Sequence, residues 1–437
     1  MNLIASRLDV LPIALNPSIQ RLIIRNNKIK TIDSSMQFYA ELQHLDLSQS
    51  HLVHIPEKSF AYQRKLQELH LNHNKISSVT NATFQGLDSL TVLNLKRNFL
   101  EELKDGVFSK LPRLEELNLG QNRISKIEPK AFAGLSALRI LYLDDNQLNS
   151  VPTNSFSLLG SLAELHVGLN AFSNLPDDAF AGLNKLTVLD LNGAGLFNIS
   201  ENAFRGLPGL RSLNLFGNRL GVIPTQQLSG LTRLEELYIG QNDFLVLESH
   251  SFKGLKNLKL IDITGATQLE KVERGAFEDN INLETIVLTN NKKLAVLEET
   301  TLLGLPKLKH VSLRDNAIIA RRPPRSGGGG GGGTLPANGF TYIGGDSRPP
   351  PPLTLNNGAP AHHLNNGSLR SLPEKKNNRS VVCRPDNFQR NLDRLPREYR
   401  PARDCRDYAE PEYSVIPEPY GAGDFARGCA HSNTFNC

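Results

Sequence analysis

From residue 19 to residue 320 the apolar positions fall in one recurring arrangement. Leu114–Asn122 (LEELNLGQN) is a clear copy, with leucines at 114, 117 and 119, polar residues between them and an asparagine at 122. The pattern L-x-x-L-x-L-x-x-N recurs thirteen times, its last slot falling at Asn27, Ser50, Asn74, Asn98, Asn122, Asn146, Asn170, Ala194, Asn218, Asn242, Ala266, Asn291 and Asn316. Successive slots are 23 residues apart once, 24 nine times and 25 for the last two steps. A fixed period of this size is the signature of a solenoid.

Each part of the repeat predicts an element. Leu117-Asn118-Leu119 alternates with period two, which marks a short strand with its leucines inward and the residue between them on the other face. Asn122 comes where the chain must leave the sheet, and its amide can bond backbone groups that would otherwise be buried unpaired. Asn74, Asn98, Asn146, Asn170, Asn218 and Asn242 extend this into a structural ladder. A phenylalanine follows in most repeats, at 60, 84, 108, 132, 156, 180, 204, 252 and 277, with Leu228 and Leu302 taking its slot elsewhere. Stacked repeats would align it as a second buried column. One repeat cannot stand alone. Fixing each backbone costs about 1–2 kcal/mol, while each buried apolar side chain returns only about 1.5–3 kcal/mol, so neighbours must stabilise one another.

These residues resemble the 24-residue leucine-rich repeat of extracellular and cell-surface proteins. Leu114–Leu138 matches its L-x-x-L-x-L-x-x-N-x-L-x-x-[LIV]-x-x-x-x-F-x-G-L-x-x-L pattern almost fully. Slit, Toll ectodomains, connectin, chaoptin and glycoprotein-hormone-receptor ectodomains carry the same repeat. The resemblance implies an α/β leucine-rich repeat solenoid: a curved right-handed horseshoe whose concave face is a parallel β-sheet of about 13 strands. It also implies a binding module without chemistry of its own.

The ends depart from that family. Residues 1–18 read as a partial N-terminal cap, because the L-x-x-[LIV]-P-x-x-L junction is present without the cap's cysteines. Either the cap has been lost by truncation, the favoured reading, or Leu3, Leu8 and Leu11 cover the first repeat unaided. Leu234–Asn242 nearly copies Leu114–Asn122, which suggests internal duplication. The extra residue in the last two steps falls after the strand and should loosen the turn without disturbing the sheet. After Ala320 the pattern stops, and the family's cysteine-rich C-terminal cap is missing. Residues 321–380, with Gly327–Gly333, read as a Gly/Pro/Asn-rich flexible linker, and 381–437 as a disordered C-terminal tail. Tyr408–Pro417 in that tail reads either as an ordinary disordered stretch or as a tyrosine-based signal of a receptor.

Composition narrows the partner. The net charge of +5 resides in the tail, where 16 Lys+Arg face 11 Asp+Glu, while residues 1–320 balance. Nothing in that balance suggests nucleic acid. All four cysteines (383, 405, 429, 437) lie in the tail, at spacings that fit neither paired zinc ligands nor a compact disulfide framework. Asn81 and Asn198 begin N-x-[ST] triplets and are candidate N-glycosylation sites. No secretory signal and no run of 18 apolar residues is visible, so no membrane span is expected. No phosphate loop, G-x-S-x-G elbow or H-E-x-x-H occurs, and His362-His363 reads as an incidental surface pair. No catalytic residue, metal or cofactor is therefore expected.

The residues flanking the inward leucines form columns across the concave face. One runs His44, Glu68, Val92, Glu116, Ile140, Glu164, Val188, Ser212, Glu236; the next runs Asp46, His70, Asn94, Asn118, Tyr142, His166, Asp190, Asn214, Tyr238. Solvated sheets prefer polar residues, so Val92, Ile140, Val188, Tyr142, Phe216 and Tyr238, expected to be exposed there, suggest a ligand-facing patch, although β-propensity alone also favours such residues. Glu116, Tyr142, Glu164, His166, Phe216, Glu236 and Tyr238 are the candidate ligand-binding residues. The leading expectation is a non-enzymatic extracellular or cell-surface recognition module that takes a protein ligand there, a homodimer being one option. The alternatives are an intracellular (cytoplasmic) scaffold or adaptor, and a receptor fragment with a signalling tail.

Overall fold

The structure is a computed structural model that describes residues 1–298, 300–318 and 341–343. Thirteen coils each contribute one three-residue strand to a single parallel sheet, in chain order. The strands run from Arg21–Ile23 and His44–Asp46 in coils one and two to Thr285–Val287 and His310–Ser312 in coils twelve and thirteen. The register is uniform. Leu45, Leu69, Leu93 and Leu117 are successive partners, and each is fully buried while its flanking residues stay on the open face.

The residue before the asparagine slot adopts positive φ in every coil, for example Arg97 (φ 56), Gln121 (φ 55) and Asp145 (φ 54), or is a glycine, as at 193, 217 and 265. A side chain in this left-handed conformation costs roughly 1–2 kcal/mol. The asparagine offsets that cost. Asn122 Oδ1 accepts from Leu100 N–H at 3.1 Å, and its Nδ2 donates to the carbonyls of Leu95 (3.1 Å), Leu119 (2.9 Å) and Gly120 (3.2 Å). The same bonds recur at Asn74, Asn98, Asn146 and Asn242. The bonds to Leu100 and Leu95 reach into the preceding coil and those to Leu119 and Gly120 stay in the turn, so the ladder ties neighbours together as well as closing its own turn.

Behind the sheet the phenylalanines stack as a second column. Phe108 and Phe132 lie 6.3 Å apart with rings 8° from parallel, and Phe180 and Phe204 lie 6.4 Å apart at 4°. The convex side carries turns, two-residue strands such as Glu102–Leu103 with Lys126–Ile127, and two short α-helices, Thr153–Phe156 and Thr225–Ser229. The helical share of this α/β solenoid is therefore small.

At the N-terminal end the chain lies along the first strand: Leu3 N–H donates to Ile23 O at 2.8 Å and Ala5 N–H to Arg25 O at 3.2 Å. Leu11 is buried, while Leu3 and Leu8 are half-buried against the core, so these residues cover the first coil. At the other end the two 25-residue steps leave the sheet register intact, with Ile261, Ile286 and Val311 as successive partners. The cost appears in the turn. Asn291 keeps its acceptor bond from Ala266 N–H at 2.7 Å, but its buried Nδ2 has no hydrogen-bond partner. Beyond His310–Ser312 a fourteenth strand, Thr341–Ile343, pairs in parallel. The rest of the 321–380 segment, the 381–437 tail with its four cysteines, Gly327–Gly333, His362-His363 and Tyr408–Pro417 lie outside the described residues.

Candidate functional site

The period of 24 residues places columns of the repeat side by side, and the densest chemistry falls in coils five to eight. His166, on the strand Glu164–His166, sits with its side chain only 10% exposed. Its Nε2 lies 3.8 Å from Glu164 Oε2 and its Nδ1 lies 3.7 Å from Asp190 Oδ2, distances of an ion pair. Tyr142, its register partner on the preceding strand, stacks on the imidazole with centroids 4.7 Å apart and planes at 17°. Burial alone would lower the His166 pKa, but Asp190 and Glu164 together outweigh it and raise it to about 9. His166 is therefore an imidazolium at neutral pH.

The surrounding acids feel their own crowding. Burial pushes the Glu116 carboxyl up, and the charges of Glu164 and Glu68 add to this. Asp144 is likewise raised by burial, and Tyr142 is held well above the usual phenol range by burial and by Glu116, Glu164 and Asp144. Two carboxylates thus flank one buried cation and two more, Glu116 and Asp144, are near enough to feel its charge, an arrangement that attracts positive charge and offers a stacked aromatic surface.

Of the expected binding residues, Glu116, Tyr142, Glu164 and His166 are brought together. Glu236 and Tyr238 form a separate pair in coil ten, where the Tyr238 hydroxyl donates to Glu236 Oε2 at 3.1 Å. Phe216 stands in coil nine, half-buried, its own N–H donating to Asn214 Oδ1 at 3.0 Å. The expectation of exposed aromatics needs correction at coil ten, where Tyr238 is 9% exposed; His166 in coil seven is 7% exposed. Val92, Ile140, Val188 and Tyr142 are half-buried. Strands about 4.8 Å apart in perfect register let each column member cover the flanks of the next. Asn81 and Asn198, the candidate glycosylation sites, are both exposed.

Two groups escaped sequence reasoning. Asp144 and Asp190 complete the acidic cluster, and Asp190 stands 24 residues after His166. In coils two and three, His44 Nδ1 lies 2.7 Å from Glu68 Oε2, and His70 Nε2 lies 3.5 Å from the same oxygen. Burial lowers the His44 pKa, aided by Arg21 and His70 against the pull of Glu68. Burial raises that of Glu68, but the hydrogen bonds and charges of the two histidines outweigh it, so its net shift is downward. The signal for both groups is the 24-residue period, which short linear motifs do not capture.

A family model described as a leucine rich repeat matches residues 40–100, 89–148, 160–220, 213–267 and 263–318. The chain belongs to the leucine-rich repeat family. Among solved structures, the repeats are similar to those of TLR13 in its complex with ssRNA13, at 26% identity and a TM-score of 0.59, over 67% of this chain and 47% of that one. The chain thus spans about half the length of that one. A leucine-rich repeat protein of Leptospira interrogans shares the fold, at 22% identity and a TM-score of 0.55, over 73% of this chain and 91% of that one. Among the described residues, no helix is long and apolar enough to cross a membrane.

Proposed function

We propose that this leucine-rich repeat protein is a non-enzymatic recognition module that takes a basic segment of a protein ligand on the concave face of coils five to eight. The observation that carries the reading is the cluster of Glu116, Asp144, Glu164 and Asp190 around His166, with Tyr142 stacked across it. Its acids draw Lys and Arg side chains and set specificity and encounter rate, and the tyrosine ring supplies contact area with little entropy to lose. Coil ten, with Glu236, Tyr238 and the neighbouring Phe216, extends the surface. The similar TLR13 structure holds an RNA, but phosphates would be repelled by this acidic floor, which favours a protein ligand here. An extracellular or cell-surface setting fits the repeat type, and Asn81 and Asn198 would carry glycans there; an intracellular scaffold is the second reading.

A random peptide library displayed on phage, selected on the full chain, tests the proposal. Enriched peptides should combine Lys or Arg with an aromatic residue. Glu116→Gln with Glu164→Gln, and separately Tyr142→Ala, should weaken such peptides by about 2 kcal/mol or more. Replacing the exposed Lys130 and Lys253 should do little. Tighter binding of a single-stranded RNA oligonucleotide than of any peptide would overturn the reading.

A further inference from the structure

The N-terminal end of the same sheet carries a different constellation. Glu68 and His70 stand two residues apart on one strand and so project from one face. His44 is the register partner of Glu68 on the preceding strand, which brings its ring alongside them. The two imidazoles lie 5.1 Å apart, and one donor atom from each of the three residues falls within 4.8 Å of the others. We propose that His44 Nδ1, Glu68 Oε2 and His70 Nε2 form a binding site for a zinc-class divalent transition-metal ion.

The donor set and the spacing both support the assignment. Two imidazole nitrogens and one carboxylate oxygen are the ligands of open, three-residue zinc sites, whereas Mg²⁺ and Ca²⁺ take oxygen ligands almost alone. Zinc bonds of about 2.0–2.1 Å in a tetrahedron hold donor atoms roughly 3.3 Å apart. The observed 2.7 and 3.5 Å to Glu68 bracket that spacing, and the third pair, His44 to His70, lies within 4.8 Å, so side-chain rotation has to draw the two imidazoles together. The strands are fixed by the ladder beneath: Asn74 closes the turn after His70 with bonds to Leu52 N–H (3.0 Å) and to the carbonyls of Leu47 (3.0 Å) and Leu71 (2.9 Å). The ligands therefore rest on rigid backbone, which is what a precise site requires. All three residues come from one sheet face, which leaves the outward vertex to water. On binding, His44 Nδ1 gives up the contact it now makes with Glu68 and carries its ring proton on Nε2. Arg21, the register partner of His44 on the first strand, opposes the ion by its charge.

Calorimetric titration of the full chain with Zn²⁺, in excess Mg²⁺ and under non-thiol reducing conditions, tests the site. Cys383, Cys405, Cys429, Cys437, His362 and His363 can take zinc as well, so the readout is the equivalent lost on mutation. His44→Ala and His70→Ala should each remove one equivalent or weaken it by about 100-fold or more, since losing even an outer-shell partner costs 10–100-fold. His362→Ala with His363→Ala should retain that equivalent, and Arg21→Ala should tighten it severalfold. His70 is half-buried on the open face, so its variant should keep the wild-type circular dichroism and thermal midpoint. Unchanged stoichiometry and affinity in a folded His70→Ala, or displacement of the ion by Mg²⁺, would overturn the proposal.

Discussion

Coils two to three and coils five to eight build their concave faces from the same residue types, yet the outcomes are opposite. In the first patch two histidines share one carboxylate, and burial lowers the pKa of His44. In the second, one histidine lies between two carboxylates, with Glu116 and Asp144 close by, and it is held as a cation at about 9. The backbone is the same in both. The ratio of imidazole to carboxylate therefore sets the charge state: burial disfavours the imidazolium in both patches, and only the second has the two carboxylates that outweigh it. The first patch is the proposed metal site, and the second is the proposed site for a cationic ligand.

Removing the histidine from each patch should separate the two most clearly. His166→Leu leaves Glu164 and Asp190 buried without their counter-charge, and urea denaturation should show a loss of about 3–5 kcal/mol. His44→Leu removes one hydrogen bond from a carboxylate that is still 46% exposed, and should cost about 1 kcal/mol. Equal losses would mean that charge state does not distinguish the patches.

A pH series tests the same point without mutation. The folded pKa of His166, about 9, exceeds its ordinary 6.5, so its contribution is full below pH 6.5 and is lost as pH rises through 9. The loss should be on the order of 3 kcal/mol. Glu116 and Asp144, both raised, lower stability as pH climbs through and above the ordinary carboxylate range, so they act in the same direction at lower pH. A stability profile that is flat between pH 6.5 and 9 in the wild type, or unchanged by His166→Gln, would contradict the ion-pair assignment.

The scaffolds beneath the two patches are alike. Asn74 and Asn122 close the turns after coils three and five with matching bonds, so Asn74→Ala and Asn122→Ala should each destabilise by about 1–3 kcal/mol. Asn291→Ala should cost less, because its Nδ2 has no hydrogen-bond partner to lose. A marked difference between the first two would trace the contrast to the backbone rather than to the side chains. Tyr142→Ala should have a small effect, similar to that of His44→Leu. It removes the ring stacked on the His166 cation and should cost about 0.5–2 kcal/mol.

The repeat was legible because each inward slot demands one residue type. Leu117 and Leu119 fill the core, Asn122 feeds buried carbonyls, and Phe132 joins the stacked column. A choice repeated thirteen times in one chain leaves a period that is visible without coordinates. The site was half legible. Reading the columns gave Glu116, Tyr142, Glu164 and His166, but Asp144 stands in a third column and completes the cluster only in space. Tyr238 reads from its column as a projecting aromatic, yet it is buried and bonded to Glu236.

The sequence by itself thus determined the solenoid, its coil count, its ladder and the faces of its strands. Those follow from local pattern and from the rule that buried backbone must be paired. The tertiary structure decided which charged groups meet, how deeply they are buried and which of them keep their protons. Such properties depend on distances of a few ångströms between side chains 24 to 26 residues apart in sequence, as from His44 to Glu68 and His70 or from His166 to Asp190 and Tyr142. Coulomb energy and desolvation vary steeply over that range, and a period alone carries no record of them.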